Sequence, residues 1–141
     1  MRLRRYFGAL FRPATLIAQL FSFLSVGALA TLLQYSLTAG FVLAGWLTLV
    51  AASTVSFLIG AVFNYWANAR LTFAKQGSHV TNRSQQLRFA AMVALGCALN
   101  AGLLRAGVAL GLHPVPAQIC ATAGVLASNF VLSRLWVFRK P

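Results

Sequence analysis

Residues 13–69 decide the fold of this chain, and they read PATLIAQLFSFLSVGALATLLQYSLTAGFVLAGWLTLVAASTVSFLIGAVFNYWANA. It contains no Lys, Arg or His and is mostly apolar, and residues 106–133 share this character apart from His113. One helical crossing of a bilayer takes about 20 apolar residues. Two such stretches within 141 residues therefore predict a polytopic, all-α membrane protein.

Breaks between the apolar runs predict four transmembrane helices, at about 16–38, 43–66, 89–111 and 117–137. Gly40 interrupts the first run, and His113-Pro114-Val115-Pro116 predicts a turn, because proline lacks a backbone donor and disfavours helix before it. A polar, basic segment separates the second span from the third. We therefore expect one domain, residues 1–141, with a hairpin of two spans in each half.

The distribution of positive charge predicts the orientation of these spans. The chain has 12 Lys and Arg and no Asp or Glu, and neither hairpin turn, 40–45 or 113–116, carries Lys or Arg. We therefore expect both termini on the cytoplasmic side of the cell (inner) membrane. Residues 1–30 also fit a cleaved signal peptide, but the apolar run continues past Ala30, which favours a retained span. The basic residues assigned to the cytoplasmic side are Arg2, Arg4, Arg5, Arg12, Arg70, Lys75, Arg83, Arg88, Arg134, Arg139 and Lys140.

The absence of acidic side chains excludes several classes of function. No side-chain carboxylate is present to act as general base, nucleophile, Mg²⁺ ligand or proton carrier, which argues against an enzyme and against a proton-coupled exporter. No phosphate loop or Cys/His metal cluster occurs, so we expect no cofactor and no metal. A basic charge suits a nucleic-acid binder, but the apolar runs are too long for a soluble basic domain, so we expect no nucleic-acid partner. An anion channel would fit the charge but not the single orientation.

An internal repeat relates the ends of spans two and four. Residues 64–75 read NYWANARLTFAK and residues 129–140 read NFVLSRLWVFRK, an offset of 65. The arginines are one place out of step. The chain therefore reads as two parallel copies of a hairpin. The pairs at offset 65 include Asn64 with Asn129 and Phe73 with Phe138, and those at offset 66 are Phe23 with Phe89 and Gln34 with Asn100.

Asn64, Arg70, Asn129 and Arg134 are the candidate phosphate-binding residues of this repeat. An amide and a planar guanidinium at one depth suit the oxygens of a phosphate. Because the chain offers no acidic partner, the anion must be a lipid headgroup or a ligand. Two interpretations remain open, namely arginines that only anchor the protein to phospholipid and arginines that form a specific phosphate site.

Three further polar residues lie inside the predicted spans. Arg105 either extends its side chain to the outer interface or lines a translocation path. Asn100 and Gln34 either form hydrogen bonds between helices or join Arg105 in a polar path for a sugar.

Small residues recur every four positions on two spans, a spacing that lets helices approach closely. We expect these rows to pack against helices of this chain or of a second subunit, and four spans enclose little interior, so a homo-oligomer is expected, with a dimer favoured. The rows are Ala52, Ser56 and Gly60 on span two, and Ala90, Ala94, Ala98, Gly102 and Ala106 on span three.

These features together resemble the GtrA-like family. The resemblance covers about 20–138 and rests on FLSVG at 23–27 and on the motif Asn-aromatic-x-x-x-Arg-x-x-x-Phe at 129–138. It implies a small membrane protein of polysaccharide biosynthesis that flips polyprenyl-phosphate-linked sugars, such as bactoprenol-linked glucose, for O-antigen or other surface glycans. Carried onto this chain, the motif residues are Asn64, Arg70, Asn129 and Arg134, with Arg70 displaced by one place from the motif position.

Two functions follow from the resemblance. In the first, the protein translocates the lipid-linked sugar, and its partners are membrane lipid and the polyprenyl-phosphate sugar. In the second, it is a non-catalytic membrane anchor or regulatory subunit of a polyprenyl-phosphate glycosyltransferase.

Overall fold

The computed structural model describes residues 13–139, and their regular structure is entirely helical. The four long helices are α1 (Pro13–Leu43), α2 (Leu49–Ala67), α3 (Arg83–Ala109) and α4 (Pro114–Leu132). A five-residue π-helix follows α2 directly (Asn68–Thr72, the first π-helix), and another follows α4 (Ser133–Val137, the second π-helix). A single 3₁₀ turn spans Ala74–Gln76. The orientation predicted from Arg2, Arg4, Arg5, Arg12 and Lys140 rests on residues outside the described range.

The chain divides into two compact units between Ala74 and Lys75. Unit 1 contains α1, α2 and the first π-helix, and unit 2 contains α3, α4 and the second π-helix. In each unit the two long helices pack against each other as a hairpin. We call the end of each hairpin that carries the π-helix its π end, and the opposite end its turn end.

Three described segments are long and apolar enough to cross a membrane, Thr15–Leu43, Arg83–Ala109 and Val115–Val137. The all-α class predicted from the sequence is confirmed, and these segments are typical of a membrane protein. Helix α2, with 19 residues, corresponds to the predicted span 43–66 and is not one of the three.

The turn of unit 1 lies further along the chain than predicted. Helix α1 continues through Gly40 to Leu43, since one interior glycine costs a helix only about 1 kcal/mol. The chain turns at Gly45, whose φ of 69° suits a residue without a side chain. Helix α2 then starts at Leu49 rather than 43, because the Thr48 hydroxyl accepts a hydrogen bond from the Ala51 N–H and caps the helix.

Both helices of unit 2 begin earlier than predicted. Helix α3 starts at Arg83 rather than 89, because the Asn82 side chain accepts a hydrogen bond from the Gln85 N–H. The predicted turn at 113–116 is instead the first turn of α4. Pro114 is tolerated there because the first N–H groups of a helix have no partner within it. His113 caps this helix through Nδ1, which accepts from the Val115 N–H.

The small-residue row on α2 forms the packing face of unit 1, as predicted. Ala52, Ser56 and Gly60 are all buried. A Cβ added to Gly60 would lie 3.3 Å from the Ala30 carbonyl oxygen on α1, so the two backbones approach closely. At the π end the rings of Phe23 and Phe73 pack edge to face, 6.4 Å apart.

The row on α3 does not form the packing face of unit 2. Helix α3 instead contacts α4 through Gly96, where an added Cβ would lie 3.2 Å from Asn129 Oδ1. At the π end the rings of Phe89 and Phe138 lie 6.5 Å apart. All five members of the predicted row are exposed, namely Ala90, Ala94, Ala98, Gly102 and Ala106.

Candidate functional site

The two π-helices occupy the repeated motif that the sequence analysis singled out. Each is closed by a hydrogen bond to a carbonyl five residues earlier, from the Phe73 N–H to Asn68 (2.9 Å) and from the Phe138 N–H to Ser133 (3.0 Å). Single turns of π-helix are rare and often occur at functional sites. Neither π-helix was predicted from the sequence, although the repeated motif marks where both lie.

The widened turns place the two motif arginines differently. At an offset of 65, Arg134 corresponds to Ala69, and both are buried, with 5% and 2% of their surface exposed. Arg70 corresponds to Leu135, and both are exposed. Because of this shift of one residue, the Arg134 guanidinium is buried in its hairpin and the Arg70 guanidinium is exposed. The arginines are not equivalent, and the buried one lies in unit 2.

Arg134 lies among buried neighbours of its own π-helix. Ser133 and Val137 are at most 1% exposed, and Phe138, which closes the helix, is fully buried. The Ser133 hydroxyl donates a 3.3 Å hydrogen bond to the sulfur of Met92 on α3. These contacts hold the turn that carries the guanidinium against α3.

Arg88 supports the same turn from α3. Its Nη1 donates a 3.1 Å hydrogen bond to the Trp136 carbonyl oxygen in the second π-helix. Carbonyls in the last turn of a helix have no partner within the helix, so this bond satisfies one of them. The charge pattern predicted Arg88 only as a residue of the cytoplasmic surface, although it lies beside Phe89, a member of the repeat.

The two motif asparagines also differ. In unit 1 the Asn68 side chain donates to both the carbonyl oxygen and Oδ1 of Asn64, at 3.0 and 2.9 Å. In unit 2 Ser133 corresponds to Asn68, and Asn129 Oδ1 is buried and accepts no hydrogen bond from the described residues. The Asn64 amide is therefore engaged within its own unit, whereas the Asn129 carbonyl group is available to a ligand.

Arg70 has a local partner on the surface of unit 1. Its guanidinium carbon lies 5.8 Å from the centroid of the Trp66 ring, four residues earlier, within the range of a cation–π interaction. Exposure and this aromatic contact suit an arginine at a membrane–water interface.

The remaining candidates lie away from Arg134. Along α3, Asn100 and Arg105 follow Arg88 by about 18 and 25 Å of helical rise. Asn100 is half-buried and Arg105 is exposed near the turn end of unit 2. Gln34 is half-buried in unit 1 and lines a cleft near the turn end of that hairpin. Within unit 2, only Asn129 and Arg134 of the predicted residues lie near the π end.

The electrostatics of the π end of unit 2 favour an anion. A buried guanidinium is costly unless a negative charge compensates it, and the chain contains no acidic side chain. The fixed fork of Arg134 suits the paired oxygens of a phosphate. Among the described residues, no three His, Cys, Asp or Glu side chains come together as a metal site.

Comparison with known protein families matches residues 22–138 to the family described as GtrA/DPMS, transmembrane domain. The matched range begins at Ser22, whose hydroxyl shares a hydrogen bond with Thr72 of the first π-helix, and ends at Phe138. It therefore contains both π-helices and all four long helices except the first nine residues of α1. No curated protein matches the chain.

Proposed function

Because the chain belongs to the GtrA/DPMS transmembrane-domain family, we propose that it flips a polyprenyl-phosphate-linked sugar across the cell (inner) membrane. The product supplies cell-surface polysaccharide synthesis or O-antigen glycosylation. The protein acts as a translocase rather than an enzyme, and its side chains bind and release the lipid without making or breaking its covalent bonds.

The proposal includes four crossings, with both π ends cytoplasmic. Helix α2 and the first π-helix together run from Leu49 to Thr72, and the 19 residues of α2 alone rise about 28 Å. That rise approaches the roughly 30 Å thickness of a hydrocarbon core. The basic residues of the described range cluster at the π ends, apart from Arg105, as the positive-inside rule requires.

The buried Arg134 is the observation that carries the proposal. A cation inside a membrane protein is expensive and marks a functional path by default. In the proposed mechanism its guanidinium holds the phosphate of the lipid-linked sugar at the cytoplasmic end of unit 2. Asn129 Oδ1 accepts a hydrogen bond from a sugar hydroxyl, and the polyprenyl chain remains in the bilayer. Release follows when the phosphate leaves this end for the outer leaflet.

Reconstituted flipping tests this assignment. Purified protein in proteoliposomes is given a fluorescent polyprenyl-phosphate sugar, and the fraction reaching the opposite leaflet is followed over time. Arg134→Ala should slow flipping at least tenfold, because a charge-assisted hydrogen bond contributes about 1.5–3 kcal/mol. Arg134→Lys, which keeps the charge but loses the fork, should be intermediate.

The matched control is Arg70→Ala, which removes the exposed arginine of the other copy. It should change the flipping rate less than twofold. Equal losses in Arg70→Ala and Arg134→Ala would contradict a site in unit 2, and unchanged flipping in Arg134→Ala would remove that residue from the mechanism.

The exposed small-residue row of α3 favours a second candidate function. A row that is not used against α4 is available to a helix of another chain. The protein would then anchor or regulate a membrane glycosyltransferase, or pair with a second copy as a dimer. Co-purification with a glycosyltransferase, combined with no flipping by the wild-type protein alone, would support this function over translocation.

A further inference from the structure

A cleft opens between α1 and α2 near the turn end of unit 1. Its volume is about 520 Å³, which falls within the ~300–1,000 Å³ typical of small-molecule sites. Three lining residues come from each helix: Gln34, Tyr35 and Thr38 from α1, and Leu49, Ser53 and Thr54 from α2.

Three polar side chains in this cleft are available to a ligand. The Gln34 amide, the Tyr35 hydroxyl and the Ser53 hydroxyl make no side-chain hydrogen bond to any residue that the structure describes. Thr38 is different, because its hydroxyl donates to the Gln34 carbonyl oxygen. Polar groups at membrane depth need hydrogen-bond partners, since hydrocarbon supplies none. A ligand with several hydroxyl groups would supply them.

The chemistry of the lining selects an uncharged ligand. None of the six lining residues is charged, so the cleft offers nothing to neutralise a phosphate. Amide and hydroxyl groups can donate to and accept from the hydroxyls of a sugar. The Tyr35 ring and the Leu49 side chain add apolar surface for the C–H face of a sugar ring. Both kinds of contact are typical of sites that orient a neutral ligand.

The cleft lies near the turn end of unit 1, whereas the buried Arg134 lies at the π end of unit 2. Gln34 precedes the end of α1 by nine residues, or about 14 Å, and Ser53 is four residues into α2. With both π ends cytoplasmic, the cleft lies in the outer half of the membrane. Its position therefore suits the uncharged part of a lipid that has already crossed.

We propose that the cleft lined by Gln34, Tyr35 and Ser53 binds the sugar ring of the translocated lipid on the outer side. The proposal rests on the proposed function for the identity of the ligand, but the binding site can be tested without transport. It deepens the mechanism by giving the sugar a second site, on the outer side, apart from the site of Arg134 and Asn129 at the cytoplasmic end.

The test measures how three probes, each with one octyl group, bind to the full-length polypeptide in phosphatidylcholine nanodiscs. Octyl β-glucoside below its micelle concentration carries the sugar, 1-O-octylglycerol carries a simpler hydroxylated headgroup, and octyl phosphate carries the anion. Saturation-transfer difference NMR gives a Kd for each, after subtraction of empty nanodiscs. Octyl β-glucoside should bind more tightly than 1-O-octylglycerol, and substitutions in the cleft should leave the binding of octyl phosphate unchanged.

Substitutions locate the binding. The double variant Gln34→Leu/Ser53→Ala should raise the Kd for octyl β-glucoside about tenfold, because it removes two hydrogen-bonding groups. If thermal unfolding shows that the double variant is misfolded, Ser53→Ala and Tyr35→Phe alone should each raise the Kd a few-fold. The matched control Ser36→Ala removes an exposed hydroxyl of α1 outside the cleft and should leave the Kd unchanged.

An unchanged Kd in the folded cleft variants would overturn the proposal. So would equal affinity for 1-O-octylglycerol, which would assign the cleft to a glycerol headgroup. If Arg134→Ala loses flipping but the cleft binds no octyl β-glucoside, only the proposed sugar site is contradicted. If the cleft binds octyl β-glucoside but the wild-type protein does not flip the lipid, only the proposed translocase function is contradicted.

Discussion

At the scale of single residues, one position separates the two copies of the motif. Ala69 and Arg134 occupy the same buried place in their π-helices, and Arg70 and Leu135 occupy the same exposed place. A step of one residue rotates a side chain by about 100° around a helix, which is enough to exchange the inside for the outside. Among the described arginines only Arg134 is therefore buried, and the neighbouring Asn129 keeps an available oxygen.

Close packing beside this asparagine gives the first stability prediction. Gly96→Ala should lower the free energy of unfolding, because the new Cβ would meet Asn129 Oδ1 at 3.2 Å and Val125 Cγ1 at 3.4 Å. Gly102→Ala on the same helix meets nothing within 4 Å. Both variants gain the same helix propensity, so their difference, about 1–3 kcal/mol, isolates packing. Denaturant titration in detergent micelles measures it, and equal stabilities would contradict the α3–α4 contact.

At the scale of elements, each π-helix is held by a hydrogen bond to a residue in the first part of the other long helix of its hairpin, and the bonding groups differ between the two units. In unit 1 the hydroxyls of Ser22 and Thr72 lie 2.8 Å apart and share a hydrogen bond. In unit 2 the corresponding position to Ser22 at offset 66 is Arg88, which donates to the Trp136 carbonyl oxygen. The architecture of the hairpin end is retained although the bonding groups differ.

Amide hydrogen exchange tests this role. Arg88→Ala should speed exchange of the Phe138 N–H about tenfold, because the second π-helix loses a charge-assisted hydrogen bond. Ser22→Ala should speed exchange of the Phe73 N–H by a smaller factor. Each substitution serves as the control for the other, since the two side chains lie in different units. Unchanged protection of Phe138 in Arg88→Ala would show that the bond does not hold the turn.

At the scale of the whole molecule, charge and apolar surface are segregated. The net charge is +12 without any acidic side chain, and many large apolar side chains are exposed along the helices. Such a surface is unfavourable in water and suits a bilayer, with cations at the interfaces. The membrane class is thus a property of the entire chain rather than of one site.

Reporter fusions test the proposed four crossings. Alkaline phosphatase, which is active only outside the cytoplasm, should be active when fused after Gly45 or Gly111. It should be inactive after Gln76 or Pro141, because the basic segments keep those points inside. A green fluorescent reporter should give the complementary pattern. The same activity after Gly45 and after Gln76 would show that α2 does not cross.

Local sequence signals predicted helix type better than helix ends. The apolar runs located all four long helices. The starts of α2 and α3 differ from the predicted ones because the side chains of Thr48 and Asn82 cap these helices. The prolines after His113 lie in the first turn of α4 rather than before it. The repeat also pointed to the candidate site. The π-helices escaped prediction because an extra residue in a turn is visible only when the surrounding packing is known.

Composition by itself determined that this protein is helical and belongs in lipid, because long uncharged runs can satisfy their backbone in hydrocarbon only as helices. The repeated motif identified the candidate phosphate-binding residues. Only the tertiary structure decided that Arg134 is buried while Arg70 is exposed, and that the α2 row packs while the α3 row does not. The physical reason is that both choices depend on rotation about a helix axis, which packing against the neighbouring helix sets.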